Sequence, residues 1–178
     1  MKILMTSIID LKKSQHNRPH QFLKNLSKNH EITVLSINDW WKGKQGDLES
    51  YFSDFEDIFE SVEFHYLTER KVSPVIQELV FMKKSWDLSK ENFDVHFNYN
   101  SLVNGYYASN NLKTVFDLAD DLPHMIATSP QIPNILKPLG KFAGDVFLRK
   151  NLKSAKYITL TTELLQKKYK IPNEKAEL

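Results

Sequence analysis

The sequence predicts an α/β domain with a Rossmann-like, doubly wound and mainly parallel sheet that carries helices on both faces. Short, β-branched apolar runs alternate with longer amphipathic segments along the whole chain, which is typical of βαβ units. The apolar runs are nearly continuous, as expected for parallel strands that are covered on both sides. Because no repeat, linker or low-complexity tract interrupts this alternation, we expect one domain over residues 1–178.

Size and composition are compatible with this fold and exclude several classes of protein. The 178 residues include 24 Lys and Arg against 22 Asp and Glu, and no Cys. A chain of this length buries a core without a disulfide or metal staple, and without Cys it forms no zinc ribbon, iron–sulfur cluster or thiol nucleophile. The six His residues are scattered, so no metal site is predicted. The balanced charge predicts no nucleic-acid binding.

Six strands are expected, over residues 2–7, 31–37, 62–67, 93–98, 113–118 and 156–161. The first run resembles the core of a signal peptide, but Thr6 and Ser7 interrupt it, Asp10 ends it, and no small-residue cleavage site follows. No apolar stretch approaches the ~20 residues that cross a bilayer. We therefore expect a buried first strand and a cytoplasmic protein.

Helices are expected between the strands, over residues 18–28, 48–60, 73–86, 101–109, 136–154 and 162–170. Asn17 and Pro19 form a helix start, with Asn17 as the N-cap and the proline in the first turn. Ser73 and Pro74 repeat this pattern. Residues 48–60 predict an acidic surface helix, because apolar residues occupy one face and carboxylates the other.

The segment 137–156 is strongly basic and allows two interpretations. It contains six Lys or Arg residues and one carboxylate, Asp145. A helix of this composition could rest on anionic lipid, which would make the protein peripheral at the inner face of the membrane. The pattern also fits a helix that buries Leu139, Phe142, Val146 and Phe147 in the core and leaves its basic side in solvent. We expect the second arrangement.

Ligands of doubly wound sheets bind beyond the carboxyl ends of the strands, so the candidate site residues follow the strands. The loop after the first strand offers Ser7, Lys12, Lys13, His16 and Arg18 before a helix, where cations and the helix dipole favour an anion. The loop contains no glycine, so a standard dinucleotide site is not expected. A solvated basic loop is an equally good interpretation.

The densest polar cluster follows the fifth strand and contains Asp117, Asp120, Asp121 and His124. Carboxylates and an imidazole at this position could bind sugar hydroxyls or position a base. Alternatively, Asp120 or Asp121 caps a turn before Pro123. We favour the functional interpretation, with Asp120 first.

Several segments, taken in order, resemble the N-terminal half of a GT-B glycosyltransferase of the family 4-like, retaining group. They are residues 1–7 (MKILMTS), 29–35 (NHEITVL), 92–95 (NFDV), 114–123 (TVFDLADDLP), 155–163 (AKYITLTTE) and 168–175 (KYKIPNEK). The sequence departs from the family in two places. The first loop lacks the frequent glycine pair, and Ala119 replaces a histidine that often precedes the aspartate.

The resemblance implies transfer of a sugar from a nucleotide-sugar donor to an acceptor in a cleft between two Rossmann-like domains. The N-terminal domain would shape the acceptor side, and a C-terminal domain, absent from this chain, would hold most of the donor. The first loop would lie under the donor phosphates. Asp120 and Asp121 are the candidate catalytic residues. The candidates that border the acceptor cleft are Asn98, Asp117, His124, Thr162 and Glu163.

These implications lead to specific expectations for this chain. No cofactor is expected in it, and its expected partners are a donor-binding domain and a sugar acceptor, either a saccharide or a lipid-linked one. We expect no sugar transfer by these 178 residues alone. The alternative is a Rossmann-like module that binds a ligand or partner without catalysis, because fold alone does not set function.

Overall fold

The computed structural model describes residues 1–40, 58–129 and 132–177. Its seven strands form one sheet in the order β3-β2-β1-β4-β5-β6-β7, and every neighbouring pair is parallel. The strands are β1 (Lys2–Ser7), β2 (Glu31–Ser36), β3 (Glu63–Tyr66), β4 (Val95–Tyr99), β5 (Thr114–Leu118), β6 (Tyr157–Leu160) and β7 (Ala176–Glu177). The predicted Rossmann-like, doubly wound fold is confirmed.

The helices that connect the described strands are short, apart from one. They are α1 (Arg18–Leu26), α2 (Pro74–Val80), α3 (Met82–Leu88), α4 (Val103–Ser109), α5 (Leu122–Thr128), α6 (Lys137–Ser154) and α7 (Glu163–Tyr169). Asn17 is the N-cap of α1, with Pro19 in its first turn, as predicted. Most of the predicted helix 48–60 lies outside the described residues, of which 58–60 are helical.

Two apolar clusters cover opposite faces of the sheet. Ile3, Met5, Val34 and Phe97 pack with Leu23 of α1 on one face, which we call the α1 face. Phe116, Leu118 and Ile158 pack with Leu148 of α6 on the other, the α6 face. The alternation of side chains along a strand assigns every residue to one of these faces, and this assignment decides which polar residues can meet.

Three elements differ from the prediction. The segment predicted as one helix, 73–86, forms α2 and α3, because the backbone of Phe81 (φ −102°, ψ 14°) leaves the helical region. The stretch after Asp121 forms α5, and Pro123 stands in its first turn, where a missing N–H removes no helical bond. The short edge strand β7 has no apolar run that would predict it.

The expected burial of the apolar side of α6 is wrong for its first half. Leu139 is 66% exposed and Phe142 68% exposed. The side of α6 that faces α5 carries Gly140 and Gly144, where an added Cβ would meet Ile126 at 2.9 and 3.3 Å. Because the small residues let α5 approach closely, the opposite side of the helix, with Leu139 and Phe142, points outward.

Candidate active site

The strand order reverses between β1 and β4, and doubly wound folds commonly have a crevice at the carboxyl edge of such a point. β1 has β2 on one side and β4 on the other, so the loops after β1 and β4 leave in opposite directions along the sheet. Crevices of this kind are the ligand sites of doubly wound folds. Ser7, the last residue of β1, lies beside Tyr99 at the end of β4, and Tyr99 lies beside Asp117 of β5.

Arg18 joins the two segments that the sequence singled out. It is the first residue of α1, and its guanidinium lies 3.1 Å from Asp117 Oδ1 and donates to the carbonyl of Leu160 at 3.1 Å. The first loop and the acidic segment therefore meet, across 99 positions of sequence. This guanidinium is occupied by the protein's own carboxylate and carbonyl, so it is not a free phosphate-binding group.

Asp117 is fully buried and incompletely paired. Its Oδ1 accepts a hydrogen bond from Thr159 Oγ1 at 2.7 Å as well as the contact from Arg18, whereas Oδ2 has no partner. Burial raises the pKa of this carboxyl, and Thr159 and Arg18 oppose the rise. A buried carboxylate oxygen without a donor is costly, and such groups are enriched at functional sites.

Asn100 provides a second unpartnered atom at the same place. It is 1% exposed, adopts a left-handed backbone (φ 52°), and donates its backbone N–H to the carbonyl of Asp117 at 3.1 Å. Its side chain donates to the carbonyl of Asp120 at 3.4 Å, while Oδ1 accepts nothing. Asparagine tolerates this backbone better than most residues, so the turn after β4 is held beside the end of β5.

Asp120 presents an exposed carboxylate next to these buried groups. Burial raises the pKa of Tyr99 to about 12, and the charges of Asp117 and Asp120 add to the rise while Arg18 opposes it. Tyr99 therefore remains a neutral hydrogen-bonding phenol. We define the cleft group as these five residues: Arg18, Tyr99, Asn100, Asp117 and Asp120.

Asp121 has a structural role in this geometry. Its carboxylate caps α5 by accepting from the backbone N–H of His124 at 3.1 Å, accepts from Tyr169 Oη at 2.6 Å, and pairs with Lys168. Burial opposes ionisation, but the contacts with Lys168, Tyr169 and His124 together lower the pKa of Asp121. The capping alternative therefore describes Asp121, and Asp120 is the carboxylate that stays open.

The other predicted residues on this side lie around the cleft group. His124 is exposed in the first turn of α5. Thr162 caps α7 by accepting from the backbone N–H of Leu165, and Glu163 pairs with Lys167 at 3.1 Å. Both are exposed after β6, at the same edge of the sheet.

The basic residues of the first loop do not converge on one point. Lys12 Nζ lies 4.4 Å from the centroid of the Phe64 ring, and Lys13 Nζ donates to Asn38 Oδ1 at 2.7 Å. The His16 ring is tilted by 52° against the ring of His20, with centroids 5.5 Å apart. Ser7 Oγ donates to the carbonyl of Ile9 at 2.8 Å. The predicted phosphate cradle is thus divided among separate local contacts.

Asp10, which the prediction overlooked, organises this loop. It is fully buried, and its carboxylate accepts from the backbone N–H groups of Lys12 (3.1 Å) and Asp39 (2.9 Å) and from Tyr66 Oη (3.2 Å). Burial and the charge of Asp10 together raise the pKa of Tyr66. The only sequence signal was an acidic residue at the end of an apolar run.

Asn98 does not join the cleft group. Residue 98 pairs with Phe116 and residue 99 with Asp117, so Asn98 points to the α6 face while Asp117 points to the α1 face. Asn98 is fully buried, and its amide bonds to Ser101 and Asn151. Asn98 was predicted to border the cleft, but it lies on the other face of the sheet, because successive side chains of a strand point to opposite faces.

Asn98 belongs instead to a buried polar network between β4 and the helices of the α6 face. His96 bonds to the hydroxyls of Thr6 (2.8 Å) and Thr114 (3.1 Å), and burial lowers its pKa to about 3. We call the network the β4–α4 network. Its members are His96, Asn98, Ser101, Asn104, Asn151 and Glu78 of α2, with Thr6 and Thr114 as hydroxyl partners.

Glu78 fastens α2 to the start of α4. Its carboxylate accepts from Ser101 Oγ (2.7 Å) and from the backbone N–H groups of Val103 (2.8 Å) and Asn104 (3.0 Å). The preceding residue, Gln77, bonds to both backbone groups of Asn38 at 2.7 Å. Among the described residues, this part of the carboxyl edge is therefore filled by the protein's own side chains, whereas Asp120 of the cleft group is exposed.

Within residues 1–40, 58–129 and 132–177, no cluster of three or more His, Asp or Glu side chains is arranged to hold a metal ion. In the same part of the chain, no helix has the length and apolar character to cross a bilayer.

The geometry defines a Rossmann-like domain with one buried and one exposed carboxylate, Asp117 and Asp120, at the carboxyl edge of its sheet. Comparison with solved structures gives it a relative in fold. The structure of Arabidopsis thaliana UGT89C1 in complex with UDP-L-rhamnose matches 98% of this chain with a TM-score of 0.52 and 10% sequence identity. This chain spans about half of that protein, 50% of its length. No family model matches the sequence. A search of curated proteins also found no match.

Proposed function

We propose that this chain is the N-terminal, acceptor-side domain of a GT-B glycosyltransferase that uses a nucleotide-sugar donor. The observation that carries the proposal is the match of nearly the whole chain to half of a protein bound to UDP-L-rhamnose. The segments that resemble the family 4-like group support the same conclusion. The other half of the active site would come from a donor-binding domain facing the carboxyl edge.

In this proposal Asp120 accepts a hydrogen bond from an acceptor hydroxyl. It is the exposed carboxylate of the cleft group, and a carboxylate is a strong acceptor for a sugar hydroxyl. Asn100 Oδ1 and Asp117 Oδ2 are buried beside it without donors. A polyhydroxylated ligand would supply the missing O–H groups, either directly or through bridging water.

The basic side chains of the first loop have a supporting role. Arg18 holds Asp117 in place, and Lys13 is bound to Asp10 and Asn38. To face a donor phosphate carried by the second domain, Lys12 would have to leave the Phe64 ring and His16 its contact with Gln21. The contribution of this chain to catalysis is thus to bind and orient the acceptor.

Binding to glycan and glycolipid arrays tests this assignment. We expect the chain to bind a restricted set of saccharides. Asp120→Asn should weaken binding about tenfold, since its neutral amide oxygen accepts a weaker hydrogen bond than the carboxylate. Asp87→Asn, at an exposed aspartate on α3, is the matched control and should bind normally. Equal binding by Asp120→Asn and the native chain would overturn the role of Asp120.

Turnover assays test whether the chain is one half of an enzyme. Incubated with UDP-, GDP- and ADP-sugars and the saccharides that it binds, the chain alone should release no nucleotide. Nucleotide release by the chain alone would refute the half-enzyme proposal. If a donor-binding domain is added and the chain still binds saccharide but no sugar is transferred, the result would instead support the non-catalytic module.

A further inference from the structure

We propose that the outward face of the α5–α6 hairpin docks on an anionic lipid bilayer. This inference is independent of sugar transfer and depends on a surface apart from the cleft group. Five large apolar side chains are at least half exposed there. They are Met125 (50%), Ile135 (86%), Leu136 (51%), Leu139 (66%) and Phe142 (68%), and we call them the apolar tip.

The apolar tip is continuous. Leu139 and Phe142 are three residues apart on α6, which makes them neighbours on its surface. Ile135 and Leu136 belong to a short 3-10 turn, Asn134–Leu136, that leads directly into α6. Met125 lies on α5, which packs against α6 through Gly140 and Gly144. Single exposed apolar residues are normal on a surface, whereas adjacent ones mark an interaction site.

Cations continue the same face of α6. Arg149, Lys150 and Lys153 are exposed. Arg149 and Lys153 lie seven and eleven residues after Phe142, and Lys150 lies eleven residues after Leu139, spacings that return to the same side of a helix. The Lys150 ammonium also lies 4.9 Å from the centroid of the Tyr106 ring. The outward face is therefore apolar over its first half and basic over its second. Lys137 and Lys141 flank the apolar tip, and Asp145, half-buried, is the acidic residue of the helix.

This division fits a bilayer surface. The apolar tip would enter the boundary between headgroups and acyl chains, while the cations about 20 Å further along α6 would lie on anionic headgroups. A second copy of this chain is a poorer occupant, because a two-fold contact centred on the apolar tip would leave the cations of α6 without an anionic partner. Charge complementarity therefore favours anionic lipid.

The orientation of α6 places the apolar tip near the cleft. α6 ends at Ser154, just before β6 begins at Tyr157, so it runs antiparallel to the strands and begins at their carboxyl edge. α5 starts at that edge directly after β5. Docking through the tip would therefore bring the carboxyl edge of the sheet close to the membrane.

Vesicle flotation of the chain tests the proposal. We expect binding to vesicles of phosphatidylcholine with 30% phosphatidylglycerol, weak binding to phosphatidylcholine alone, and release from the anionic vesicles in 0.5 M NaCl. Equal binding to both vesicles, or binding to neither, would overturn it.

Paired variants separate the two halves of the face. Leu139→Ser with Phe142→Ser should lower the partition coefficient at least tenfold, because two large side chains no longer enter the bilayer. Replacing Arg149, Lys150 and Lys153 with Gln should lower it on the order of 100-fold, about fivefold per cation. The matched controls are Leu164→Ser, at a 76% exposed residue of α7, and Gln at Lys28, Lys71 and Lys83.

A fluorescence measurement identifies the inserted residue even if a variant changes stability. The sequence has no Cys, so Phe142→Cys accepts a single polarity-sensitive label. Anionic vesicles should shift its emission to the blue, and the same label at Leu164→Cys should not respond. A blue shift that depends on protein concentration in the absence of vesicles would identify a second copy as the occupant and would overturn the lipid proposal.

Discussion

Glu78 and Asp117 are both buried carboxylates at the carboxyl edge of the sheet, yet their surroundings differ. Glu78 has one hydroxyl and two backbone N–H groups as donors, shared between its two oxygens. Asp117 has donors on one oxygen and none on the other. The contacts of Glu78 fasten α2 to the start of α4, whereas Asp117 keeps one carboxylate oxygen that can still accept a hydrogen bond. The comparison separates a structural network from a candidate site within one sheet edge.

The largest effect that we expect is a loss of folding stability in acid, caused by His96 in the β4–α4 network. His96 has a pKa of about 3 in the folded protein, against 6.5 ordinarily, so between these values the unfolded chain binds a proton that the folded chain does not. Its contribution to stability is complete above pH 6.5 and is lost as the pH falls toward 3, by about 4 kcal/mol. Between pH 7 and pH 4, the free energy of unfolding measured in urea should fall less for His96→Gln than for the native chain. Equal losses in the two proteins would contradict this.

Removal of the Glu78 carboxylate is expected to cost almost as much. Glu78→Ala leaves Ser101 Oγ and two backbone N–H groups without acceptors inside the protein, so we expect a loss of about 3 kcal/mol or more in the free energy of unfolding. Glu78→Gln keeps one acceptor oxygen and should lose less. Glu91→Ala, at an exposed residue, is the control. A loss below about 1 kcal/mol would show that α2 is not fastened through this side chain.

Asp117→Asn is expected to have a smaller effect on stability and a change in its pH dependence. The raised pKa of Asp117 means that the folded protein holds a proton that the unfolded chain has already released. Stability therefore declines as the pH rises from the ordinary carboxyl pKa through the folded one. Asp117→Asn should remove this decline while changing stability at pH 7 by about 1 kcal/mol or less. A loss as large as that of Glu78→Ala would place Asp117 among the structural residues.

Asp120→Asn should have the smallest effect on stability, within about 0.5 kcal/mol, because the side chain is exposed. Thermal unfolding beside the saccharide-binding assay would show this contrast directly. If the substitution instead lowered stability by more than about 1 kcal/mol, its effect on binding could not be assigned to a lost ligand contact. Asp87→Asn again gives the baseline for an exposed aspartate.

The fold could be predicted from the sequence because its strands are buried on both faces. Continuous apolar runs located the six longer strands within two residues of their observed bounds, and Asn17 and Pro19 located α1. The break at Phe81 and the helix after Asp121 were not predicted, because tertiary contacts decide them. Pro123 fits a turn or a first helical turn equally well.

The site could be predicted only in part. The positions after β1 and β5 were singled out from the sequence, and in the structure they meet through Arg18 and Asp117. That this pair satisfies itself, and that Asp121 is held by Lys168 and Tyr169, depends on side chains that are distant in sequence. Asn98 could have been excluded by counting alternate residues along β4, because a shift of one position changes the face.

The sheet order also affects how the protein is assembled during synthesis. β1 lies at the centre, but its neighbour β4 begins at Val95, so about 90 residues must leave the ribosome before β1 is paired on both sides. At the usual rate of roughly 5–20 residues per second, this takes about 5–20 s. During that time one edge of an apolar strand stays open to unwanted pairing. A chaperone that covers exposed strands should therefore raise the yield of folded protein more than a lower temperature after synthesis.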